Sequence, residues 1–420
     1  MNIFDELTWR GLIQDISDPE AFTKLKAGDA CYIGFDPTAS SLQVGNLVQI
    51  LVSIHLTKSG LKPILLFGGA TGMIGDPGGR STERNLMSLD DVARNVELQA
   101  AQARALWKNA GTDVEPEVVN NIDWTRGISY LEFLRDIGKH FTVNYMLQKD
   151  SVKSRLAGEG ISYTEFSYML LQAFDFLHLY KNKGCRLQFG GSDQWGNLTA
   201  GLELIRRKVQ GEAYAFSVPL ITNAEGKKFG KSAGNAVWLD PNLTSPYQFH
   251  QFWLNVQDNE VIKLLKVFTF TPRDEIEQLE REMNEHPEKR DAQKFLADAL
   301  CTLVHGQQAT EDAKRAAGAL FGGSLEGFSS KQLLEIFSEA PSTTLKKTEI
   351  AELDVLSLLA QTLCSSKGEA RRLIQGGGIY IDNERVSEPT MLVSSTKLLE
   401  TGFIVMRSGK KNYHLVKVTE

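Results

Sequence analysis

The sequence predicts an α/β protein built on a parallel sheet, and three observations carry that prediction. Residues 30–37 and 62–68 are short apolar runs that end in a glycine or a turn, as buried strands do. Residues 44–56, between them, are apolar on nearly all sides and long enough for a core helix. Residues 186–191 repeat the strand-into-glycine pattern far along the chain. Strand, turn, buried helix and strand make a βαβ unit, whose ligands belong at the carboxyl ends of the strands.

The remaining elements follow in order. A helix is expected over 89–110 and an α/β return near 118–123, and together with the strand at 186–191 they fill a first domain over 1–245. From 246 to 320 the pattern is helical, with an acidic amphipathic stretch at 273–286 and another helix at 290–305. Gly322-Gly323-Ser324 and Pro341-Ser342-Thr343-Thr344 break the pattern, so a linker is expected over 321–347. A small α+β domain over 348–420 begins with a helix at 366–374 that shows basic residues on its exposed side. Gly376-Gly377-Gly378 ends that helix before a strand at Ile379.

At 420 residues with 42% hydrophobic content, two or three domains with real cores are expected. No run approaches the roughly 18–20 apolar residues of a membrane span, and the first residues are acidic, unlike a targeting leader. The cytoplasm is the expected location. Cys31, Cys185, Cys301 and Cys364 lie far apart without a C-x-x-C pair, which argues against a disulfide framework or a zinc ribbon. The net charge is −6, and the segment from Lys346 onward carries slightly more Lys/Arg than Asp/Glu. A mildly basic tail on an acidic body is compatible with RNA contact.

Three polar, glycine-rich segments follow strand-like runs: Gly34-Phe35-Asp36-Pro37-Thr38, the stretch from Gly68 to Pro77, and Gly190-Gly191-Ser192-Asp193-Gln194. A fourth, Lys228-Phe229-Gly230-Lys231-Ser232, places two ammonium groups three residues apart between glycines. Such a loop can fold over a polyphosphate and neutralise charge on a leaving group, or it can be a solvated turn. Arg80 and Arg84, four apart, can share a helical face and meet phosphate, or pair with Glu83 or Asp91. Neither G-x-x-x-x-G-K-[ST] nor G-x-G-x-x-G occurs. Tyr168, Gln172 and Asp175 fall on one helical face amid apolar residues. They suit either an internal hydrogen-bond network or a bound amino acid carrying an ammonium and a phenol.

Taken together these segments resemble the bacterial-type tyrosyl-tRNA synthetases, class I aminoacyl-tRNA synthetases, over nearly the whole chain. The matching residues are Tyr32 to Ala39, Gly68 to Gly72, Gly75-Asp76-Pro77, Asn121 to Trp124, Phe166-Ser167-Tyr168, Gln172, Asp175, Gly190 to Asn197 and Lys228 to Ser232. The resemblance implies a Rossmann-like catalytic domain, then an α-helical anticodon-side domain and an RNA-binding domain. It implies tyrosine activation by ATP with Mg²⁺, with no tightly held protein metal, then transfer to tRNA(Tyr) by a homodimer. Tyrosine's ammonium would meet Asp76, Tyr168 and Gln172 with Asn121 and Gln194 nearby, and its hydroxyl Tyr32 and Asp175. ATP would meet Gly34, Asp36, Gly45, Gly191 and Asp193. Thr38 would lie beside the phosphates, and Lys228, Lys231, Arg80 and Arg84 would stabilise pyrophosphate.

One departure matters. The family's His-x-Gly-His signature is replaced by Gln43-Val44-Gly45-Asn46, and His55 lies about 13 Å further along a helix. The amides of Gln43 and Asn46 retain N–H donors, so an active enzyme with a rate penalty is expected. An RNA-binding protein on the same scaffold without activation chemistry is the competing possibility, and the intact tyrosine pocket argues against it. Tryptophan specificity is a third, and Tyr32 with Asp175, a pair suited to a phenol, argues against that. The carboxy-terminal segment is similar to a small RNA-binding module, with Lys367, Arg371, Arg372, Lys410 and Lys411 as its phosphate contacts.

Overall fold

The computed structural model describes residues 2–78, 87–158, 160–222, 229–232, 235–396, 401–410 and 412–420. Arg80, Arg84, Lys228 and Lys411 lie outside them. Packing groups the chain into two units, Met1–Gly306 and Gln307–Glu420.

The first unit opens with α1 (Ile3–Trp9), and its main sheet has six strands: β1 (Asp15–Ile16), β2 (Ala30–Phe35), β3 (Lys62–Phe67), β4 (Glu117–Asn120), β5 (Cys185–Gly191) and β6 (Tyr214–Val218). Their order is β1-β6-β5-β2-β3-β4, with only the β1–β6 pair antiparallel. The chain therefore runs outward from β2 through β3 to β4, then crosses back to β5. The switch of direction falls between β2 and β5, where an open parallel sheet leaves a crevice at its carboxyl edge. α2 (Val44–Lys58) is buried along most of its length, matching its nearly continuous apolar sequence.

α3 (Leu89–Asn109), α4 (Asp150–Leu156), α5 (Tyr163–Lys183) and α6 (Trp195–Val209) complete the layers around the sheet. α5 is N-capped by Ser162 and closed by Gly184 at φ +63, a conformation that glycine adopts without Cβ strain. Its buried side packs into a cluster that includes Met169, Ala173, Phe176 and Ile64. The helices α7 (Pro246–Leu254), α8 (Asp258–Phe268), α9 (Arg273–Glu285) and α10 (Asp291–His305) follow. Arg10, at the end of α1, ties this region to the amino terminus. Its guanidinium donates to the Lys266, Thr269 and Thr271 carbonyls at 2.9, 2.7 and 2.7 Å.

The second unit contains α11 (Gln307–Ala319), α12 (Ser330–Ile336), α13 (Val355–Gln361) and α14 (Lys367–Gln375). The hairpin strands β7 (Lys231–Ser232) and β8 (Asn235–Ala236) belong to the first unit. The second unit's sheet consists of β9 (Ser342–Lys346), β10 (Ile379–Ile381), β11 (Glu384–Arg385), β12 (Phe403–Ser408) and β13 (Asn412–Thr419), in the order β11-β10-β12-β13-β9.

Two expectations about organisation differ from these elements. Helix 307–319, expected with the helical segment 246–320, packs in the second unit. Ala313, Ala316 and Ala319 are buried there, and the Ala319 carbonyl accepts from Asn383 and the Tyr413 hydroxyl. The expected linker 321–347 contains α12 and β9, and β9 pairs in parallel with β13. The strand escapes a sequence reading because it alternates between exposed and half-buried residues and presents no apolar run.

Candidate active site

Three strand ends and one helix build the site. Tyr32 and Gly34 lie on β2, Gln188 and Gly191 on β5, and Tyr168, Gln172 and Asp175 on one face of α5. With Asp36, Thr38, Asn46, Asp76, Asp193 and Gln194 they line a cavity of about 300 Å³. A Cβ at Gly68 would run into the Asp36 carboxylate and the Thr71 hydroxyl, so a larger residue there would push apart groups that are hydrogen-bonded to each other. The turn therefore packs directly against the groups that orient Asp36. Thr71 donates to Asp36 Oδ1 at 2.8 Å and Tyr168 to Asp36 Oδ2 at 2.9 Å.

The floor of the cavity is buried and polar. Asp175 is 3% exposed and accepts from Asn121 Nδ2 at 3.0 Å and from the Trp124 indole N–H at 2.8 Å. Burial pushes its carboxyl up to about 7 despite those two bonds, and the charge of Asp36 adds to the shift. Tyr32 is 1% exposed, and burial followed by the nearby Asp175 raises its phenol well above the ordinary value. Among the described residues, the Tyr32 hydroxyl, Gln172 Oε1 and Gln188 Oε1 have no hydrogen-bond partner although buried. Buried polar atoms left open in this way cost free energy that a polar ligand recovers.

Near the mouth, Gln194 Nε2 donates to the Asp76 carboxylate, which also accepts the Gly78 backbone N–H at 3.0 Å. Asn197 Nδ2 holds Gln194 Oε1 at 3.1 Å, so its acceptor is spent and its amide group faces Asp76. A second, apolar slot of about 160 Å³ adjoins the cavity through Gln49 and Gly191, with Gly45, Leu220, Ile221 and Phe229 among its walls. A Cβ at Gly191 would sit 2.7 Å from Asp193 Oδ1, so a larger residue there would displace the Asp193 carboxylate.

The amino terminus of α2 meets the Phe229-Gly230 segment here. Gly230, at φ +89, lies so close that its Cβ would be 3.3 Å from Val44 Cβ, and the Val44 N–H bonds the Val237 carbonyl at 3.0 Å. Phe229 anchors the segment among Phe252, Trp253 and Phe268, with ring centroids 5.3–5.9 Å away. A Cβ at Gly45 would meet nothing within 4 Å, which leaves room beside the helix end.

The sequence family described as tRNA synthetases class I (W and Y) matches residues 26–322, and that described as Tyrosine--tRNA ligase SYY-like C-terminal domain matches 332–416. Proteins named tyrosine--tRNA ligase from Opitutus terrae and Roseiflexus castenholzii are each 48% identical, over 100% and 99% of both chains respectively. The chain belongs to the tyrosine–tRNA ligase family. A C-terminally truncated mitochondrial tyrosyl-tRNA synthetase of Aspergillus nidulans superposes with a TM-score of 0.69 at 31% identity, covering 76% of this chain and 94% of that one. The class I fold expected from the sequence is the fold observed.

With the family known, the expected site residues separate into three groups. Those named above as lining the cavity come together, and Gly45 walls the apolar slot beside it. Asn121 does not line the cavity. It is fully buried behind Asp175, where it donates to Asp175 and Thr71 and accepts from the Ala70 N–H. Gln43 likewise stands outside the lining, as the N-cap residue of α2, and Lys231 is placed only by its backbone in β7. Lys367, Arg371, Arg372 and Lys410 are exposed on the second unit.

Sequence reasoning missed Thr71, Trp124, Gln188 and Gln49. Gln188 had a signal, a polar residue at a buried position of the strand Cys-Arg-Leu-Gln-Phe. Thr71 and Trp124 lie inside matched motifs, but their roles left no local trace, since Trp124 reaches Asp175 across 51 residues.

Proposed function

We propose that this tyrosine–tRNA ligase seats tyrosine in the polar cavity between β2 and β5 with ATP across Gly191, and activates the amino acid there. The observation that carries the assignment is the set of unpaired atoms around Asp175. A phenol entering along α5 would donate to the Asp175 carboxylate and accept from the Tyr32 hydroxyl, which gains the partner it lacks. Tyrosine's ammonium would lie near Asp76, Tyr168 and Gln172, with Gln194 held in place by Asn197. Asn121 acts through Asp175 and Thr71 rather than by touching the amino acid.

ATP's adenine suits the apolar slot beside Phe229 and Leu220, its ribose the Gly191–Asp193 turn, and its phosphates the end of α2 near Thr38 and Asn46. Mg²⁺ arrives bound to those phosphates as part of the substrate. Tyrosine's carboxylate is ionised at pH 7 and attacks the α-phosphorus directly. The bond to the β-phosphate oxygen breaks, giving tyrosyl-adenylate and pyrophosphate. A hydroxyl of the 3′-terminal adenosine of tRNA(Tyr) then attacks the tyrosyl carbonyl and AMP leaves. The enzyme's contribution is placement and charge stabilisation, with Lys228, Lys231, Arg80 and Arg84 assigned to pyrophosphate.

Lys367, Arg371, Arg372, Lys410 and Lys411 form the proposed phosphate-contact patch of the second unit. The catalytic and anticodon-side roles of 1–245 and 246–320 belong to the same proposal. Tyr130, Leu131 and Tyr163 are 62%, 76% and 63% exposed, and a second copy of the chain covering them accounts for so much apolar surface. No helix among the described residues is long and apolar enough to cross a membrane, and cytoplasmic location is proposed with the rest. The test is tyrosine-dependent exchange of labelled pyrophosphate into ATP, with Lys231→Ala beside the unaltered chain. Exchange that the variant loses supports the assignment. A folded, tyrosine-binding protein without exchange refutes it.

A further inference from the structure

The polar stripe of α5 does not begin at Tyr168. Glu165, three residues earlier, lies on the same face, so Glu165, Tyr168, Gln172 and Asp175 follow one another at the spacings of a helical stripe. Glu165 and Arg155 of α4 form an ion pair in which Nη1 donates to Oε1 at 2.9 Å and Nη2 lies 2.8 Å from Oε2 without forming a second hydrogen bond. Their side chains are 1% and 4% exposed. The remaining guanidinium donor, Nε, holds the Gly160 carbonyl at 3.2 Å, between the two helices.

We propose that Arg155 and Glu165 are positioning residues for tyrosine, fixing the rotation of α5 about its axis. The inference rests on the assignment of the α5 stripe to tyrosine binding. A buried ion pair is weak as a source of stability, because desolvation of both charges offsets their attraction, but two N–O contacts plus the Nε bond to Gly160 restrict how the two helices sit against each other. α5 is held at one end of the stripe by this pair and at the other by Asp175 with Asn121 and Trp124. Tyr168 and Gln172 lie between the two anchors. The Tyr168 hydroxyl stands about 9 Å from the helix axis, so a roll of about 10° moves it by about 1.5 Å. That displacement breaks its 2.9 Å bond to Asp36 and misplaces the ligand's ammonium.

The experiment measures KM for tyrosine and for ATP in pyrophosphate exchange, with thermal unfolding alongside, for the full chain carrying Arg155→Met with Glu165→Leu. Arg155→Lys and Tyr168→Phe are measured separately. The doubly apolar variant is expected to unfold near the unaltered temperature while KM for tyrosine rises about tenfold and KM for ATP stays level. Arg155→Lys keeps the charge but loses the guanidinium, and is expected to fall between. Unaltered tyrosine KM in either folded variant overturns the inference, as does a KM for ATP that rises in parallel. Tyr168→Phe separates the two levels. If it leaves tyrosine binding unchanged, the assignment of the stripe fails; if it weakens binding while the pair variants do not, only the positioning role fails.

Discussion

Asn46 Oδ1 accepts the backbone N–H of Gln43 at 3.0 Å. Asn46 also lines the cavity, and with its oxygen committed to the end of α2 its amide N–H groups are the part of the side chain left to donate to a ligand. The signature position thus caps its helix and offers a neutral donor where a histidine would offer a ring N–H. Asn46→Ala removes both contributions. It is expected to cost about 1 kcal/mol of stability and to slow pyrophosphate exchange by roughly 10–100-fold, with tyrosine affinity unchanged. Urea unfolding and exchange kinetics check the two parts.

Gly230 offers a test of the contact between the Lys228 to Ser232 segment and α2. Alanine there must adopt φ +89, at a cost of roughly 1–2 kcal/mol, and must push its Cβ against Val44. Exchange is expected to fall at least about tenfold while tyrosine binding without ATP is unaffected. Equilibrium dialysis with tyrosine alone separates the two.

Tyr32→Phe removes one of the two groups assigned to the phenol. Tyrosine affinity is expected to fall by roughly tenfold, and preference over phenylalanine to narrow by a similar factor, because phenylalanine loses nothing. Exchange measured with each amino acid gives the ratio.

Asp175 makes the site pH-dependent. Its carboxyl is raised to about 7, so in the ligand-free protein the folded state holds a proton that the unfolded chain releases near 4. Stability from this group is therefore complete below about 4 and falls as pH rises to about 7, where it levels off. A phenol that donates to the carboxylate favours the ionised form, so tyrosine affinity is expected to weaken as pH falls below about 7. Titration calorimetry in buffers of different ionisation heat is expected to show proton release on binding near neutral pH. Affinity that does not vary between pH 6 and 8 counts against the contact.

Arg10→Ala leaves the Lys266, Thr269 and Thr271 carbonyls without their donor and Glu6 without its 2.6 Å partner. Destabilisation of about 3–5 kcal/mol is expected, read as a lower midpoint of the first unit's unfolding in urea.

Much of the site was legible because its residues sit in segments with local signatures. Gly34 and Gly191 lie near the ends of apolar strands and Gly68 follows one, and Tyr168, Gln172 and Asp175 keep helical spacing inside α5. Asn121 was visible as part of a motif, but its place behind Asp175 was not, since the bond between them joins residues 54 apart. The strand Ser342–Lys346 was read as a linker because an edge strand carries no apolar face and its partner, Leu415 to Thr419, lies at the far end of the chain.

By itself the sequence determined the α/β class, the family, the glycine-rich turns at strand ends and the basic helix of the second unit. Each is written in neighbouring residues, through periodicity, turn chemistry or an ordered motif. Only the tertiary structure decided that β2 and β5 flank the cavity, that burial raises the Asp175 carboxyl, that Gly230 packs on the end of α2, and that Arg155 meets Glu165. Those facts depend on strand order and on desolvation by distant side chains, and neither leaves a local trace in the chain.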